Sequence, residues 1–367
     1  MNILFHIPFD TVVKNKWDGE SARTGGSAVS GTHQSFILAA EYVAKYTQNS
    51  IYFLNNCNNK AYKGVNYVDH QSRLPSDIHT VVVPNWISQL PLTNVNSIKH
   101  FVVWYQCPGY TQQVHHIIGT LVTHNRARIS FVHISDWSTK NVMTVFQTYF
   151  PLYQTPKIPN PLMTDCLPAN IDFSAARPNN TIFIALWERG ADVAERCWNK
   201  LKLESPGGKW GEFLKLDYNG GSTSPKADKT AVFSCYTQAR YFIYPLINPK
   251  NGLIHRDTFG CVVAEAIACG VEVLTYPVAA LREYYDGLVT WIPFPPSTTT
   301  STIDDPIPTP CVPQLGWESQ DEHIMRLIKD IDANYDSRES LRRERAAKVI
   351  EMFNPESCLK PWTSLFI

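Results

Sequence analysis

The stretch His255–Gly270, HRDTFGCVVAEAIACG, indicates more about the fold than any other part of this chain. Asp257 is a residue type that caps helices, because its short carboxylate accepts N–H groups of the first turn. From Cys261 the segment is apolar and rich in small residues, as in a helix packed closely on a sheet, and Gly270 is placed to end it. The pattern predicts a buried helix with an exposed first turn at 258–260, whose amides would favour an anion such as phosphate.

Glu265 lies inside this apolar helix, where an ionised carboxylate is costly to bury without a partner. Asp257 and Glu265 are eight positions apart, which corresponds to roughly 12 Å along the helix axis. That distance would suit an extended ligand with a sugar at one end, a diphosphate in the middle and a ribose at the other end. The alternative is an ordinary α/β domain with a capping Asp257 and an ion-paired Glu265.

The order Asp257-Thr-Phe-Gly, then Glu265-Ala-Ile-Ala-Cys-Gly, resembles the signature of the retaining glycosyltransferases of family four, in which two glutamates flank seven residues. The resemblance implies an α/β protein with the GT-B fold, in which two Rossmann-like domains face a central cleft. It covers most of the chain but is strong only over Thr181–Gly287. Asp257 departs from the family's first glutamate and shortens the reach of that carboxylate by one methylene.

The resemblance also implies a role for each residue of this motif. Glu265 would hold the ribose hydroxyls of the donor, and Asp257 would orient the sugar. The diphosphate would be bound by Arg189 and by the amides of Thr258, Phe259 and Gly260.

Arg189-Gly190 matches a basic residue and glycine that relatives place after the first strand of the second domain. The guanidinium fork of arginine suits a phosphate group. An ion pair of Arg189 with Glu188 or Asp192 on the surface is the alternative, because solvated charges of this kind are common.

Four residues of the first domain match family positions less specifically. Gly25 and Gly26 match an early turn that approaches the donor, although a plain turn would also explain them. Gln106 stands where many relatives have a histidine near the acceptor, and since an amide cannot act as a base it would only hydrogen-bond a sugar hydroxyl. Ser135 resembles a serine at the family's cleft, but capping of the next helix explains it equally well.

Short β-rich runs separated by polar or helical spacers predict an open parallel sheet in each domain. The runs are Met1–Pro8, Ser50–Leu54, Val65–Val68, Thr80–Val83, His100–Trp104, Ile129–His133, Thr181–Leu186, Tyr241–Pro245 and Val271–Tyr276. The glycine-rich segment Leu216–Lys229 is assigned to a loop, and a short helix is expected at Tyr236–Arg240.

The length of 367 residues suits two domains. KIPNPL at Lys157–Leu162 resembles the family's interdomain hinge. We therefore expect an acceptor-side domain at 1–160, a donor domain at 161–345, and a tail at 346–367 that crosses back to the first domain.

Charge and cysteine content argue against several classes of protein. The 33 basic and 33 acidic residues balance, so nucleic acid is an unexpected partner. Nine cysteines without paired spacing favour reduced thiols in a cytoplasmic protein. No apolar stretch approaches the length of about 18 residues that a transmembrane helix needs.

These features together predict an enzyme that moves a sugar from a nucleoside-diphosphate sugar, with UDP or GDP as the expected nucleotide, to a glycan or other hydroxyl acceptor with retention of configuration. The resemblance implies no cofactor, and no acidic DxD-like motif indicates a metal site. The alternatives are a catalytically inactive nucleotide-sugar-binding or scaffold subunit, and an epimerase of the same fold.

Overall fold

Two α/β units make up the computed structural model. The first unit comprises Met1–Thr164 and Phe353–Ile367, and the second comprises Asp165–Met352. The structure describes residues 1–8, 16–24, 29–87, 90, 95–107, 112–140, 156–174, 177–185, 189–205, 207–216, 228–247, 254–294 and 317–366.

The first unit is built on a mostly parallel sheet. Its described strands are β1 Asn2–His6, β2 Ser50–Asn55, β3 Lys60–Tyr62, β4 Val65–Asp69, β5 Ile78–Pro84, β6 His100–Tyr105 and β7 Arg128–His133. They pair in the order β3-β4-β2-β1-β5-β6-β7. The central strands β1, β5 and β6 are buried along almost their whole length, as expected where both faces of a parallel sheet are covered. The parallel sheet expected from the sequence is therefore present.

The edge strand β3 pairs antiparallel with β4 and was not predicted. It is short and half exposed, so its sequence lacks an apolar run. The turn between the two strands consists of Lys63 and Gly64, which both have positive φ, 47° and 78°. Two-residue turns of that kind match the twist of an antiparallel pair.

Helices cover the sheet of the first unit. They are Ser21–Thr24, Gly31–Tyr46 and Gln112–Asn125, with residues 136–140 also helical, and Pro355–Cys358 and Lys360–Leu365 at the end of the chain. The last of these brings Trp362 against Phe5 and Trp104, with ring centroids 5.9 and 4.9 Å apart. The final segment thus contributes to the core of the first unit.

The second unit has a parallel sheet among its described residues. The strands are β8 Thr181–Ile184, β9 Phe213–Leu216, β10 Tyr241–Tyr244, β11 Glu272–Thr275 and β12 Thr290–Trp291, in the order β12-β11-β10-β8-β9. The helices are Ala191–Glu204, Lys229–Tyr236, Cys261–Ala268, Ala280–Tyr285, Trp317–Ala333 and Glu339–Phe353. Below, Lys229–Tyr236 is called the lysine helix and Cys261–Ala268 the motif helix.

The lysine helix corrects the sequence interpretation by two turns. Lys229 was assigned to a loop and the helix was expected at Tyr236–Arg240, but the helix ends at Tyr236. The cause is the N-cap at Asp228, whose Oδ1 accepts the Ala231 N–H at 2.9 Å. The sequence Asp228-Lys-Thr-Ala could have indicated the start of this helix. It was instead assigned to a loop together with the glycine-rich stretch before it.

Two expectations from composition can be compared with the described part of the chain. The cysteines it contains are free thiols, namely Cys57, Cys107, Cys166, Cys197, Cys235, Cys261, Cys269 and Cys358. Within the same residues, no helix is both long enough and apolar enough to cross a bilayer.

Candidate functional site

The turn before the motif helix lies at the carboxyl edge of the second unit's sheet. β8 and β10 are parallel neighbours, so their carboxyl ends meet at the same edge. Arg189 follows β8 and Asp257 follows β10, and the fold therefore brings these two side chains together. Open α/β sheets bind ligands at this edge.

The motif helix begins at Cys261, not at Thr258 directly after a capping Asp257 as the sequence interpretation assumed. Gly260 is its N-cap and has a φ of 75°, and a β carbon at Gly260 would lie 2.4 Å from Leu281 Cδ2. Since residues 257–260 form a turn, the estimate of 12 Å along one helix axis does not apply. Gly270, with a φ of 75°, follows the end of the helix as predicted.

The carboxylate of Asp257 is bound within its own turn. Oδ1 accepts the N–H groups of Phe259 at 3.1 Å and Gly260 at 2.7 Å. Oδ2 accepts the Tyr244 hydroxyl at 2.9 Å. Burial raises the pKa of Tyr244 well above its usual value, so this hydroxyl stays a donor. The cap predicted for Asp257 is present, and two of the amides expected to bind a diphosphate converge on this anionic oxygen. The side chain of Thr258 beside them is buried.

Arg189 forms an ion pair with the same carboxylate. Its Nη1 lies 3.8 Å from Asp257 Oδ2, and its side chain is 26% exposed. Glu188, which was named as an alternative partner, lies outside the described residues. Gly190 caps Ala191–Glu204 with a φ of 100°, and a β carbon there would lie 2.5 Å from Pro245 Cγ. The close packing against Pro245 explains the glycine without a ligand.

Glu265 is fully buried, and its partner is a lysine that the sequence interpretation did not consider. Lys229 Nζ lies 2.5 Å from Glu265 Oε1, and the lysine side chain is itself 2% exposed. Glu265 Oε2 is buried and has no hydrogen-bond partner among the residues described. One oxygen of this carboxylate is therefore neutralised, and the other has no donor in that part of the chain.

Gln106 is buried directly after β6. Its amide and that of Asn160 form a reciprocal pair, with N···O distances of 2.9 and 3.0 Å. The backbone N–H of Gln106 donates to Asn85 Oδ1 at 3.0 Å. These bonds fix the orientation of Gln106, and a contact with an acceptor stays a prediction.

Ser135 is fully buried and caps the helical residues 136–140. Its Oγ accepts the N–H of Ser138 at 3.0 Å, and Ser138 Oγ donates to the Ser135 carbonyl at 2.8 Å. This is the capping alternative that the sequence left open, and an acceptor-side role for Ser135 stays a prediction. Gly25 and Gly26 lie outside the described residues.

His133, the last residue of β7, was not proposed as a site residue. Its ring is fully buried and stacks on Tyr105 with centroids 5.3 Å apart. Burial lowers its pKa to about 4, so the imidazole is neutral at pH 7. Neither ring nitrogen has a hydrogen-bond partner within the described ranges. The only feature of the sequence that could have pointed to His133 is its position at the end of an apolar strand.

Three carboxylates of the second unit are each paired with a cation. Asp257 lies beside Arg189, Glu265 beside Lys229 and Glu272 beside Arg338. In the part of the chain that the structure describes, no three His, Cys, Asp or Glu side chains are grouped to hold a metal ion. Arg189 and the turn amides favour an anionic ligand at this edge.

Solved structures match the chain over its whole length at low sequence identity. Sucrose-phosphate synthase from Thermosynechococcus elongatus matches with a TM-score of 0.62 and 12% identity, covering 100% of this chain and 98% of that one. A glycosyltransferase from Rickettsia africae ESF-5 matches with a TM-score of 0.60, 11% identity and coverage of 99% and 97%. α,α-Trehalose 6-phosphate synthase from Burkholderia multivorans matches with a TM-score of 0.57 and 9% identity, covering 100% of this chain and 98% of that one.

No family profile and no curated protein sequence matches the chain. At the identities of the structural matches, likeness establishes the fold alone. The expected α/β architecture with two parallel-sheet units of the GT-B type is confirmed.

Proposed function

We propose that this protein is a glycosyltransferase that moves a sugar from a nucleoside-diphosphate sugar to a hydroxyl acceptor with retention of configuration. The observation that carries the proposal is the convergence of Arg189 and the Phe259 and Gly260 amides at the carboxyl edge of β8 and β10. The fold, which is shared with sugar-transferring enzymes, supports it.

The turn amides support a site for the donor diphosphate. The Phe259 and Gly260 N–H groups already converge on one anionic oxygen, which is the arrangement that a phosphate oxygen needs. We infer that the diphosphate takes the place of the Asp257 carboxylate at these amides. Asp257 would then be free to orient the sugar, and Arg189, whose side chain is 26% exposed, would bind a second phosphate oxygen.

Glu265 supports a site for the ribose of the donor. Its Oε2 is a buried acceptor without a donor among the described residues. The hydroxyls of a ribose are donors of the kind that a buried carboxylate oxygen requires. We therefore propose that Glu265 accepts ribose hydroxyls through Oε2.

Stabilisation of the leaving group would supply most of the rate. The acceptor oxygen bonds to the anomeric carbon, the bond from that carbon to the diphosphate oxygen breaks, and its electron pair leaves with the nucleoside diphosphate. The acceptor hydroxyl loses its proton, which is released to the solution. Charge that grows on the diphosphate is stabilised by Arg189, and one pre-aimed donor is commonly worth about 2.7–4 kcal/mol.

The remaining parts of the proposal concern the acceptor and the surroundings of the enzyme. A glycan or other hydroxyl compound would bind on the side of the first unit, where Gln106 and Ser135 stay candidate contacts. UDP and GDP are the proposed nucleotides. We propose a cytoplasmic enzyme that needs no metal.

Release of nucleoside diphosphate from UDP-, GDP- and ADP-sugars tests this function. We expect the wild-type chain to release one of these diphosphates and Arg189→Ala to lower the rate by about 100- to 1,000-fold. Glu265→Ala should abolish the release as well. Arg343→Ala is the matched control, because Arg343 is an exposed arginine paired with Glu339 at 2.9 Å. A chain that binds none of the nucleotides would contradict the proposal.

An inactive nucleotide-sugar-binding or scaffold subunit is the second candidate. The observation that favours it is that the Asp257 carboxylate is shorter than the family's glutamate and is held by three donors, Phe259, Gly260 and Tyr244. Such a subunit would bind a nucleotide without releasing diphosphate from any donor. An epimerase would instead convert the donor sugar while the diphosphate stayed attached.

A further inference from the structure

Lys229 occupies a position that helix energetics disfavour. It is the first residue of the lysine helix, directly after the N-cap Asp228. A cation at a helix N-terminus opposes the helix dipole, by about 0.3–1 kcal/mol at exposed sites. Lys229 is also only 2% exposed, and burial of an ammonium group is costly. A contact that offsets both costs is expected, and the contact with Glu265 provides it.

Stability alone does not account for the pair of Lys229 and Glu265. Buried ion pairs are often no more stable than apolar side chains of similar volume. This pair also leaves Glu265 Oε2 buried without a donor among the described residues, a loss of about 1–3 kcal/mol for a polar group. The arrangement is therefore better explained by a ligand that binds Oε2.

We propose that Lys229 is a positioning residue of the nucleotide site that sets its preference for ribose. The ammonium group holds Oε1 and leaves Oε2 as the oxygen that accepts from a ligand's hydroxyls. This inference rests on the proposed function. Without the ammonium group, Oε1 would lose its hydrogen-bond partner, and the carboxylate would no longer be held with Oε2 available to a ligand.

The proposal predicts how loss of ribose hydroxyls and loss of the lysine combine. UDP, GDP and ADP are first titrated into the full wild-type chain by calorimetry to find the base that binds most tightly. The diphosphate with that base and its 2′,3′-dideoxy counterpart are then titrated into wild type and each variant. Wild type should prefer the ribonucleotide by about 10- to 100-fold, the value of a hydrogen bond to a charged group. In Lys229→Met, the preference should fall below about threefold, because the carboxylate is no longer held in the orientation that offers Oε2 to the hydroxyls.

Two matched variants and a second ligand separate positioning from a loss of structure. Lys229→Arg keeps the cation and should keep the preference, whereas Glu265→Gln keeps the shape without the charge and should lose it. Inorganic pyrophosphate lacks a ribose, so its affinity should be equal in all these proteins. If Lys229→Met fails to fold, Lys229→Gln takes its place with the same expected loss.

Each result supports or overturns the proposal. If wild type binds no nucleoside diphosphate, the proposed function and this inference fall together. If wild type prefers the ribonucleotide and Lys229→Met keeps that preference, the role of Lys229 is wrong and the nucleotide site stands. Equal binding of the ribo- and dideoxy ligands by wild type also overturns the role of Lys229 but leaves a diphosphate site. A preference that is lost in Lys229→Met and kept in Lys229→Arg supports the proposal.

Discussion

Glu265 and Glu272 are two buried glutamates of the second unit that are neutralised in different ways. Glu272, the first residue of β11, is bound through both oxygens. Arg338 donates to Oε1 at 2.8 Å and to Oε2 at 2.9 Å, and Arg345 adds a bond to Oε2 at 3.2 Å. Glu265 has Lys229 on one oxygen, and its second oxygen has no partner among the described residues. One carboxylate is saturated, and the other is half satisfied.

The surroundings of the two glutamates extend this difference. Near Glu272, buried arginines also donate to backbone carbonyls: Arg342 binds the carbonyls of Tyr335 and Phe173, and Arg177 binds that of Cys269. Hydrogen bonds to Glu272 raise the pKa of Arg338, whereas burial lowers the pKa of Arg345. At the amino edge of the sheet, the charged groups around Glu272 are thus bound by one another and by backbone carbonyls.

The largest effect on stability is expected for Glu272→Ala. The substitution leaves the buried Arg342 and the partly buried Arg338 and Arg345 without their shared carboxylate, and breaking a buried pair in this way costs about 3–5 kcal/mol. The free energy of unfolding in urea measures the loss. Arg343→Ala, which removes an exposed pair with Glu339, should cost less than about 1 kcal/mol. A loss as small for Glu272→Ala would show that the arginine cluster is not structural.

The next largest effect is expected for Gly260→Ala at the start of the motif helix. The left-handed φ costs a residue with a β carbon about 1–2 kcal/mol, and the contact of 2.4 Å with Leu281 Cδ2 adds about 1–3 kcal/mol. Gly287→Ala is the matched control, because its φ is 74° and nothing lies within 4 Å of the added carbon. Equal losses in the two variants would mean that Leu281 moves away without cost.

Tyr244 and Tyr241 lie at opposite ends of β10, so Tyr244→Phe and Tyr241→Phe test the carboxyl and amino edges of the sheet separately. Tyr244 at the carboxyl end of β10 donates to Asp257 Oδ2 at 2.9 Å, and Tyr241 at the amino end donates to Asp332 Oδ1 at 3.1 Å. Burial raises the pKa of both hydroxyls, so both are donors at neutral pH. Each substitution should lower the free energy of unfolding by about 1–2 kcal/mol.

Nucleotide binding should separate the two tyrosine variants although their stabilities are similar. Tyr244→Phe loosens the Asp257 carboxylate beside Arg189 and should change the affinity for UDP, GDP or ADP measured by calorimetry. Tyr241→Phe alters the other end of the strand and should leave that affinity as in wild type. If both variants bind as wild type does, the carboxyl edge of β10 is not the nucleotide site.

The strands could be predicted from the sequence because their signal is local. The run HFVVW at His100–Trp104 is apolar after its first residue, is buried at every position and corresponds to β6. The exposed strand β3 could not be found in this way, since its pairing depends on the positive φ of Lys63 and Gly64 rather than on apolar residues. Burial on both faces is visible in a sequence, whereas an edge strand depends on its turn.

The site was only partly predictable because its contacts join distant segments. The capping role of Asp257 was visible, as it acts within three residues. Lys229 lies 36 positions from Glu265, and nothing in either local sequence indicates their contact. Arg189 was expected to bind phosphate from the resemblance, but its distance of 3.8 Å to Asp257 follows from the pairing of β8 with β10.

The smallest effect on stability, and the sharpest contrast between the two glutamates, is expected for Lys229→Met with Glu265→Met. Replacing both partners removes the buried charges together and fills a similar volume, so the free energy of unfolding should fall by no more than about 1 kcal/mol. The matched change, Glu272→Met with Arg338→Met, should cost about 3 kcal/mol or more, because the buried Arg342 and the partly buried Arg345 lose their carboxylate. Urea unfolding measures both, and nucleotide titration of the first variant should show no ribose preference. If the double methionine variant at 229 and 265 loses as much stability as the change at Glu272, the pair is held for structure, and the half-satisfied carboxylate is not a sign of a ligand.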